Sequence, residues 1–486
     1  MKTPRHLSYK TKILCTMGPA IGSEDKIAEA LFAGASAFRL NMSHSTHKTH
    51  TQYVQYIRKA EKKTNMFVPI IADLQGPKLR VGELGDGVML MTGQTIIIAD
   101  PNVLKRKRVK APEGGYIPLE YPSLARDVKK GDTLLFDDGL LSAQVVASDG
   151  VFVKAVVING GLLKSRKGLN LPHIKVSVPS ITRKDKEDIL FAIKNDVDYI
   201  AVSFVRSAND VKSVRKLLDQ HNSDIRIIAK VEKPEALVNI EEIIQASDVI
   251  MVARGDLGVE IPAANVPMEQ KRIISLCNNY AKPVITATQM LESMIKNPRP
   301  TRAEASDIAN AVLDGTDAVM LSAETSVGAY PIEAISYMRM ICTEAEKSLF
   351  NDNKLFTRKL GVKVTKEQNT DSIAAAASTI AEEQNINCIA TLSYSGETAH
   401  LISNRRPRAP ILAVTSMLRT VRRVGLYWGV TGFHVEKITT TDDTIEHIKK
   451  LLVARSYFEK GATVVFTIGR PLVARSRTNM LSIETL

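Results

Sequence analysis

Apolar and polar positions along this chain follow two alternating rhythms. Short runs dominated by Ile, Val, Leu and Ala occur at 12–16, 37–41, 68–73, 199–204, 226–232, 249–253, 283–288 and 318–323, with amphipathic stretches of helical spacing between them. Buried parallel strands read as such near-continuous apolar runs, and each needs a helical crossover to reach the next. Eight βα units predict a closed (β/α)8 barrel, an α/β fold. Between the third and fourth runs, residues 78–174 change character: Asp86-Gly87, Asp138-Gly139 and Asp149-Gly150 turns punctuate strand-like runs such as 95–99 and 151–158. That segment is expected to be an inserted β domain. Without it, 1–77 and 175–350 hold 253 residues, close to the roughly 250 typical of such a barrel. After a polar stretch at 351–370, a helix at 371–384 and strands at 388–392, 411–414 and 463–468 predict an open α/β domain over 351–486.

With 44% hydrophobic residues in 486, the chain can bury sizeable cores. It has no apolar run of about 18 residues or more and a polar, basic start, so neither a membrane span nor a secretory signal is expected and the address should be cytoplasmic. Cys15, Cys277, Cys342 and Cys388 are scattered without metal-ligand spacing and read as reduced structural thiols. The net charge is +13, and 351–486 carries 19 Lys and Arg against 12 Asp and Glu. There is no polybasic tail and no aromatic-rich RNA-binding motif, so the excess points to small anionic ligands rather than nucleic acid or a membrane; a plain solvated basic surface is the alternative.

Chemistry in this architecture belongs at the C-terminal ends of the strands. Side chains two apart in a strand share a face, and polar pairs recur there with that spacing: Arg39, Asn41 and Ser43, then Lys230 and Glu232, then Thr286 and Thr288. Lys230 with Glu232 could be a structural ion pair. Asp256 on the neighbouring strand changes the reading, since two carboxylates offer hard oxygen ligands to Mg²⁺, which typically takes one or two carboxylates plus substrate phosphate and water. A lysine beside them is a fixed cation for a transferring phosphoryl group or an enolate. Gly255 permits close backbone approach. Arg39 supplies a second phosphate-directed cation, a surface salt bridge being the alternative. Asn41, Ser43 and Asp73 add oxygens, although Asn41 would also suit ordinary polar satisfaction in the barrel.

The segments Thr16-Met17-Gly18-Pro19, Arg39-Leu40-Asn41-Met42-Ser43-His44, Gly76-Pro77-Lys78-Leu79-Arg80, Lys230-Val231-Glu232, Ala253-Arg254-Gly255-Asp256, Thr286-Ala287-Thr288-Gln289 and Pro300-Thr301-Arg302-Ala303-Glu304 stand in order across the barrel. Together they resemble the pyruvate kinases. The resemblance implies transfer of the phosphoryl group of phosphoenolpyruvate to ADP, giving ATP and pyruvate, in glycolysis. It implies Mg²⁺ or Mn²⁺ on Glu232 and Asp256, charge stabilisation by Lys230, phosphate binding by Arg39, substrate contact at Gly255 and proton delivery guided by Thr288. The insert would be a β-barrel lid that excludes water, with Asn41, His44, Arg80, Lys167 and the Asp137-Asp138-Gly139 turn on the nucleotide side.

Potassium-dependent members carry glutamate at position 78 and threonine at 74. Here Lys78 and Leu74 resemble the potassium-independent group, so the monovalent-cation position of Asn41, Ser43, Asp73, Leu74 and Lys78 should need no K⁺. In the C-terminal domain, Ser393, Ser395, Gly396 and Thr398 lead into a helix and would cradle a phosphorylated sugar or AMP as allosteric effector, with Glu397, Arg470, Arg475 and Arg477 near; a capped helix without a ligand is the plain alternative. The family usually forms homotetramers. Rival readings are a barrel aldolase or mutase with Lys230 as Schiff base, and a non-catalytic homologue that keeps only the fold.

Overall fold

The computed structural model describes residues 9–172, 174, 177, 179–351, 368–436, 438–470 and 477–486. The eight apolar runs all form strands: Lys12–Thr16, Ala37–Asn41, Ile70–Asp73, Tyr199–Val202, Arg226–Val231, Val249–Ala253, Val284–Ala287 and Ala318–Leu321. They pair in parallel, in chain order, and the first closes on the eighth. Every residue of the third, fourth, sixth, seventh and eighth is buried, which is why alternation is weak in their sequence. Helices begin where capping chemistry allows. Thr182 and Thr301 each accept a hydrogen bond from the third residue of their helix, whose carboxylate returns the bond in a capping box.

The insert has its own core, around Ile98, Leu134, Phe136, Val145 and Val153. Its six-stranded sheet runs in the order Leu169–Asn170, Thr133–Phe136, Leu141–Ser148, Phe152–Asn159, Thr95–Ala99, Ile117–Pro118. Arg80 bridges Gly168 at one edge and Val81 bridges Leu119 at the other, so the sheet curls into the expected small barrel.

The C-terminal unit is a five-stranded sheet, Val430–His434, Ile411–Thr415, Cys388–Leu392, Thr463–Ile468 and Met480–Thr485, parallel except for the last pairing. Its first and last strands were not expected. Both are edges, and Val430–His434 includes Gly432 and a half-exposed His434, so neither carries the apolar signature of a strand flanked on both sides. Of the polar stretch at 351–370, residues 352–367 lie outside the described residues. All four cysteines are buried free thiols. Among the described residues no helix is long and apolar enough to cross a membrane.

The C-terminal unit plugs the floor of the main barrel. Leu426 packs with the inward-facing Leu14, Ile71, Tyr199, Met251 and Met320, and the Tyr199 hydroxyl donates to the Arg423 carbonyl at 2.8 Å. Buried lysines complete the seam: Lys10 Nζ donates to the Ala409 carbonyl at 2.9 Å and Lys12 Nζ to that of Val430 at 2.6 Å. Burial lowers the Lys12 pKa from 10.5 to about 7, and the Lys10 charge adds to this against Glu346. Between those values the unfolded chain binds the extra proton, so this group's contribution to stability rises with pH from about 7 upward and is flat below. The difference in urea midpoint between wild type and Lys12→Met is therefore expected to stay constant below pH 7 and to move in favour of the wild type as the pH rises to 9.

Candidate active site

At the barrel mouth, charge is concentrated out of bulk water. Lys230, near the end of the fifth strand, sets its ammonium 2.8 Å from Glu232 Oε1 and 3.2 Å from Asp73 Oδ1. It also donates to Ser203 Oγ at 2.7 Å, and that hydroxyl donates to the Leu74 carbonyl at 2.8 Å. Arg39 Nε reaches Asp73 Oδ2 at 2.6 Å and its Nη1 donates to Thr16 Oγ1 at 3.1 Å. Asp73 thus clamps the two cations between strands two and five. Burial would raise its pKa, but Lys230 and Arg39 outweigh that and hold it below the ordinary aspartate value. Burial would likewise strip the proton from Lys230, yet Asp73 and Glu232 raise its pKa above the ordinary lysine value.

Glu232 is different. Burial pushes its pKa up to about 7 despite Lys230, and Asp256 adds to the rise. Its Oε2 accepts the Phe204 N–H at 2.8 Å, and its Oε1 faces the Lys230 ammonium at 2.8 Å. Three cations, Arg39, Lys230 and Lys78, face three carboxylates, Asp73, Glu232 and Asp256. Two carboxylates close enough for Asp256 to raise the Glu232 pKa fit a divalent cation held by Glu232 and Asp256. Among the described residues no group of three or more His, Cys, Asp or Glu is placed to hold a metal ion.

Asp256 and Gly255 lie in the short helix Arg254–Glu260. The Gly255 N–H donates to Thr288 Oγ1 at 2.8 Å, and that hydroxyl donates to the Ala287 carbonyl at 2.6 Å. Thr286 and Thr288 do not share a face as strand spacing predicted. The strand ends at Ala287, Thr288 turns to φ 68° and Gln289 to φ 53°, while Thr286 stays buried against Thr316. Arg254 fixes this turn by donating to the Thr288 carbonyl at 2.7 Å while pairing with Asp307 at 2.7 Å. A cleft beneath the lid is lined by Lys78, Asp138, Gly255, Asp256, Gln289 and Asp307.

The nucleotide-side residues gather less tightly. His44 is pushed below its ordinary pKa by burial and then by Arg80, Arg39 and Lys78, which favours a neutral imidazole beside three cations. Asn41 Oδ1 accepts the Ser43 N–H at 3.1 Å, the local role that competed with ligand binding. Lys167 pairs with Asp137 at 2.8 Å in a turn where Asp137, Asp138 and Gly139 all have positive φ. Positive φ at two successive Asp residues is what the tight hairpin turn between Thr133–Phe136 and Leu141–Ser148 requires. Of the five residues named for a monovalent cation, Asn41 stands in register with Asp73 on the neighbouring strand and bonds the Ser43 N–H. Asp73 is engaged by Arg39 and Lys230, the Leu74 side chain lies in the core, and Lys78 extends to Asp256 Oδ1, 3.9 Å away.

In the C-terminal loop, Ser393 Oγ accepts the Gly396 N–H at 3.0 Å and Ser395 Oγ the Glu397 N–H at 3.4 Å. Gly396 has φ 84°, and a Cβ there would come 2.7 Å from Val424 Cγ1. Thr398 is buried and bonded to Thr478 at 2.7 Å. Arg470 bonds Asn479 through its backbone, and Arg475 lies outside the described residues.

Two family models match the chain: the pyruvate kinase barrel domain over residues 8–335 and the pyruvate kinase alpha/beta domain over 371–484. This chain belongs to the pyruvate kinase family. The pyruvate kinase of Geobacillus stearothermophilus is 44% identical over 99% of this chain and 81% of its own length. That of Clostridium acetobutylicum is 40% identical over 98% and 99%. The crystal structure of a pyruvate kinase from Cryptosporidium parvum superposes with a TM-score of 0.91 at 36% identity, covering 100% of this chain and 98% of that one. As a member of that family the chain is an enzyme, a phosphotransferase. Three residues of the mouth escaped sequence reasoning: Ser203 and Phe204 after the fourth strand, and Thr16 at the end of the first. The same strand-end rule that found Lys230 points to Ser203 and Thr16, whereas the Phe204 contact is made by backbone and leaves no side-chain signal.

Asp73→Asn should be among the most damaging substitutions, because it leaves the buried Lys230 and Arg39 short of a counter-charge. The expected loss is about 3–5 kcal/mol, measurable as a lowered denaturant midpoint, with a matching fall in activity.

Proposed function

We propose that this chain transfers the phosphoryl group of phosphoenolpyruvate to ADP with Mg²⁺ or Mn²⁺ bound, and then protonates the enolate to pyruvate, as a glycolytic enzyme. The observation that carries the reading is the pair of carboxylates Glu232 and Asp256, close enough for Asp256 to raise the Glu232 pKa, with the Lys230 ammonium 2.8 Å from Glu232 Oε1. A divalent cation between Glu232 and Asp256 would supply charge neutralisation to the substrate carboxylate and phosphate. Arg39 binds phosphate, held in line by Asp73 and Thr16. Lys230 stabilises negative charge on the transferring group and on the enolate oxygen, staying protonated because Asp73 and Glu232 flank it. Thr288, presented by the Arg254-braced turn, guides a proton to the enolate carbon, directly or through water. Its hydroxyl also bonds the Gly255 N–H, so substrate backbone contact and proton delivery share one anchor.

The lid over 78–174 excludes water from the transfer and offers Arg80 and Lys167 to the nucleotide, with Asn41 and His44 from the barrel. Lys78 supplies beside Asp256 the fixed positive charge that a monovalent cation would otherwise bring. The barrel is taken as 1–77 with 175–350 and the C-terminal domain as 351–486. The loop Ser393, Ser395, Gly396 and Thr398 is read as an allosteric site for a phosphorylated sugar or AMP, in a cytoplasmic homotetramer. A Schiff-base aldolase or mutase is disfavoured because Lys230 is held as an ammonium, which is not nucleophilic.

In a coupled assay with phosphoenolpyruvate, ADP and Mg²⁺, Lys230→Met should lose at least about a hundredfold in transfer yet keep some exchange of pyruvate methyl protons, followed by NMR in ²H₂O. Full transfer in that variant would overturn the reading. The wild type is expected to work as fast in Na⁺ or tetramethylammonium buffer as in K⁺, and a large stimulation by K⁺ would count against the role given to Lys78.

A further inference from the structure

Behind the two carboxylates assigned to the cation lies a second buried charge cluster that no step of the reaction uses. Lys233, next to Glu232, sets its ammonium 2.6 Å from Glu260 Oε1. Glu260 closes the helix Arg254–Glu260, one turn after Asp256. Both are secluded, Glu260 1% and Lys233 9% exposed. The same Glu260 oxygen accepts a hydrogen bond from Asn170 Nδ2 at 2.9 Å, and Asn170, 8% exposed, belongs to the lid sheet through its pairing with Leu135. Lys233 also lies 5.9 Å from the centroid of the Phe204 ring, and Phe204, held at φ 54°, gives its N–H to Glu232 Oε2.

We propose that Lys233, Glu260 and Asn170 form a positioning latch: the buried pair fixes the placement of the Glu232 and Asp256 carboxylates relative to each other, and the lid docks on that pair through Asn170. The physical case is that the two ligands of one cation come from different elements, the turn after the fifth strand and the helix Arg254–Glu260, and must be held against their mutual repulsion. Lys233 and Phe204 brace the segment that carries Glu232, Glu260 anchors the helix that carries Asp256, and one ion pair joins the two. Groups behind metal ligands are worth about 10–100-fold in metal affinity. The lid amide reads the position of the same carboxylate, so lid seating and ligand placement are set together. A crevice between insert and barrel, lined by Pro77, Lys78, Asn170, Phe204, Arg206 and Lys233, runs beside this contact.

This inference rests on the reading of Glu232 and Asp256 as cation ligands, so the experiment separates the two. Mn²⁺ binding to the full-length protein, without substrates, is titrated by EPR in wild type and variants. Glu232→Gln should abolish binding; if it binds as the wild type does, the ligand assignment itself fails. Lys233→Met and Glu260→Gln should each weaken Mn²⁺ about tenfold, with Lys233→Arg restoring most of it. Wild-type affinity in both, with binding lost in Glu232→Gln, would overturn the latch alone. Where a single variant unfolds, the double variant Lys233→Met with Glu260→Leu removes both charges together, which buried pairs often tolerate. Weakened Mn²⁺ binding in that folded protein supports the latch, and wild-type binding overturns it. Asn170→Ala should leave Mn²⁺ affinity within about twofold, speed amide hydrogen exchange across Leu169–Asn170, and lower kcat without raising the KM for phosphoenolpyruvate. Unchanged exchange and kcat would remove the lid from the device.

Discussion

The Lys230 ammonium sits between Asp73 and Glu232, so that groups from the third and fifth strands and the turn after the fifth converge on one buried proton-bearing nitrogen. Taking such a charge out of water costs several kcal/mol unless partners restore what hydration supplied. Ser203 and the two carboxylates do so, and Asp73 in turn recruits Arg39 from the second strand. The shear and closure of the barrel are what bring these strand ends within ion-pair distance. A mouth assembled this way is preorganised: its cations are already oriented and do not have to rearrange when an anionic substrate arrives.

The cations are shared unevenly among the carboxylates, and that unevenness is chemically informative. Asp73 lies between two cations and is held below the ordinary aspartate pKa, whereas Glu232 has Lys230 alone and its pKa is raised. Two carboxylates of similar sequence context therefore shift in opposite directions, because Asp73 has the Arg39 guanidinium as a second partner and Glu232 does not.

The fifth strand also ties the mouth to the rest of the molecule. Its first residue, Arg226, donates to the Ser395 carbonyl at 2.9 Å in the C-terminal loop and bonds the Tyr427 hydroxyl, and Lys230 follows four residues later on the same strand. Leu426, beside that tyrosine, fills the barrel floor. Arg423 pairs with Asp224 at 3.0 Å, and Arg419 with Asp196 and Asp224, along the same seam. The C-terminal unit is thus part of the barrel's packing, and its Ser393–Thr398 loop touches, through the Ser395 carbonyl, the strand that carries Lys230.

Eight strands, the insert and the carboxylates beside Lys230 were legible in the sequence because each rests on local pattern: apolar runs set strands, Asp-Gly pairs set turns, and strand-end polarity marks the mouth. The local pattern failed where partners were distant. Thr288 leaves its strand because Arg254 and Gly255 hold the turn, Thr398 turns inward to Thr478, and Lys78 extends to Asp256 while Asp73 is claimed by two other cations. Edge strands Val430–His434 and Met480–Thr485 carry too little apolar signal to stand out. The sequence by itself determined where the strands end, and so that Arg39, Lys230 and Glu232 lie at the mouth, since periodicity and strand direction are properties of neighbouring positions. Which carboxylate has two cations beside it and which has one was decided only by tertiary structure, because compensation of a buried charge depends on groups brought in from anywhere along the chain.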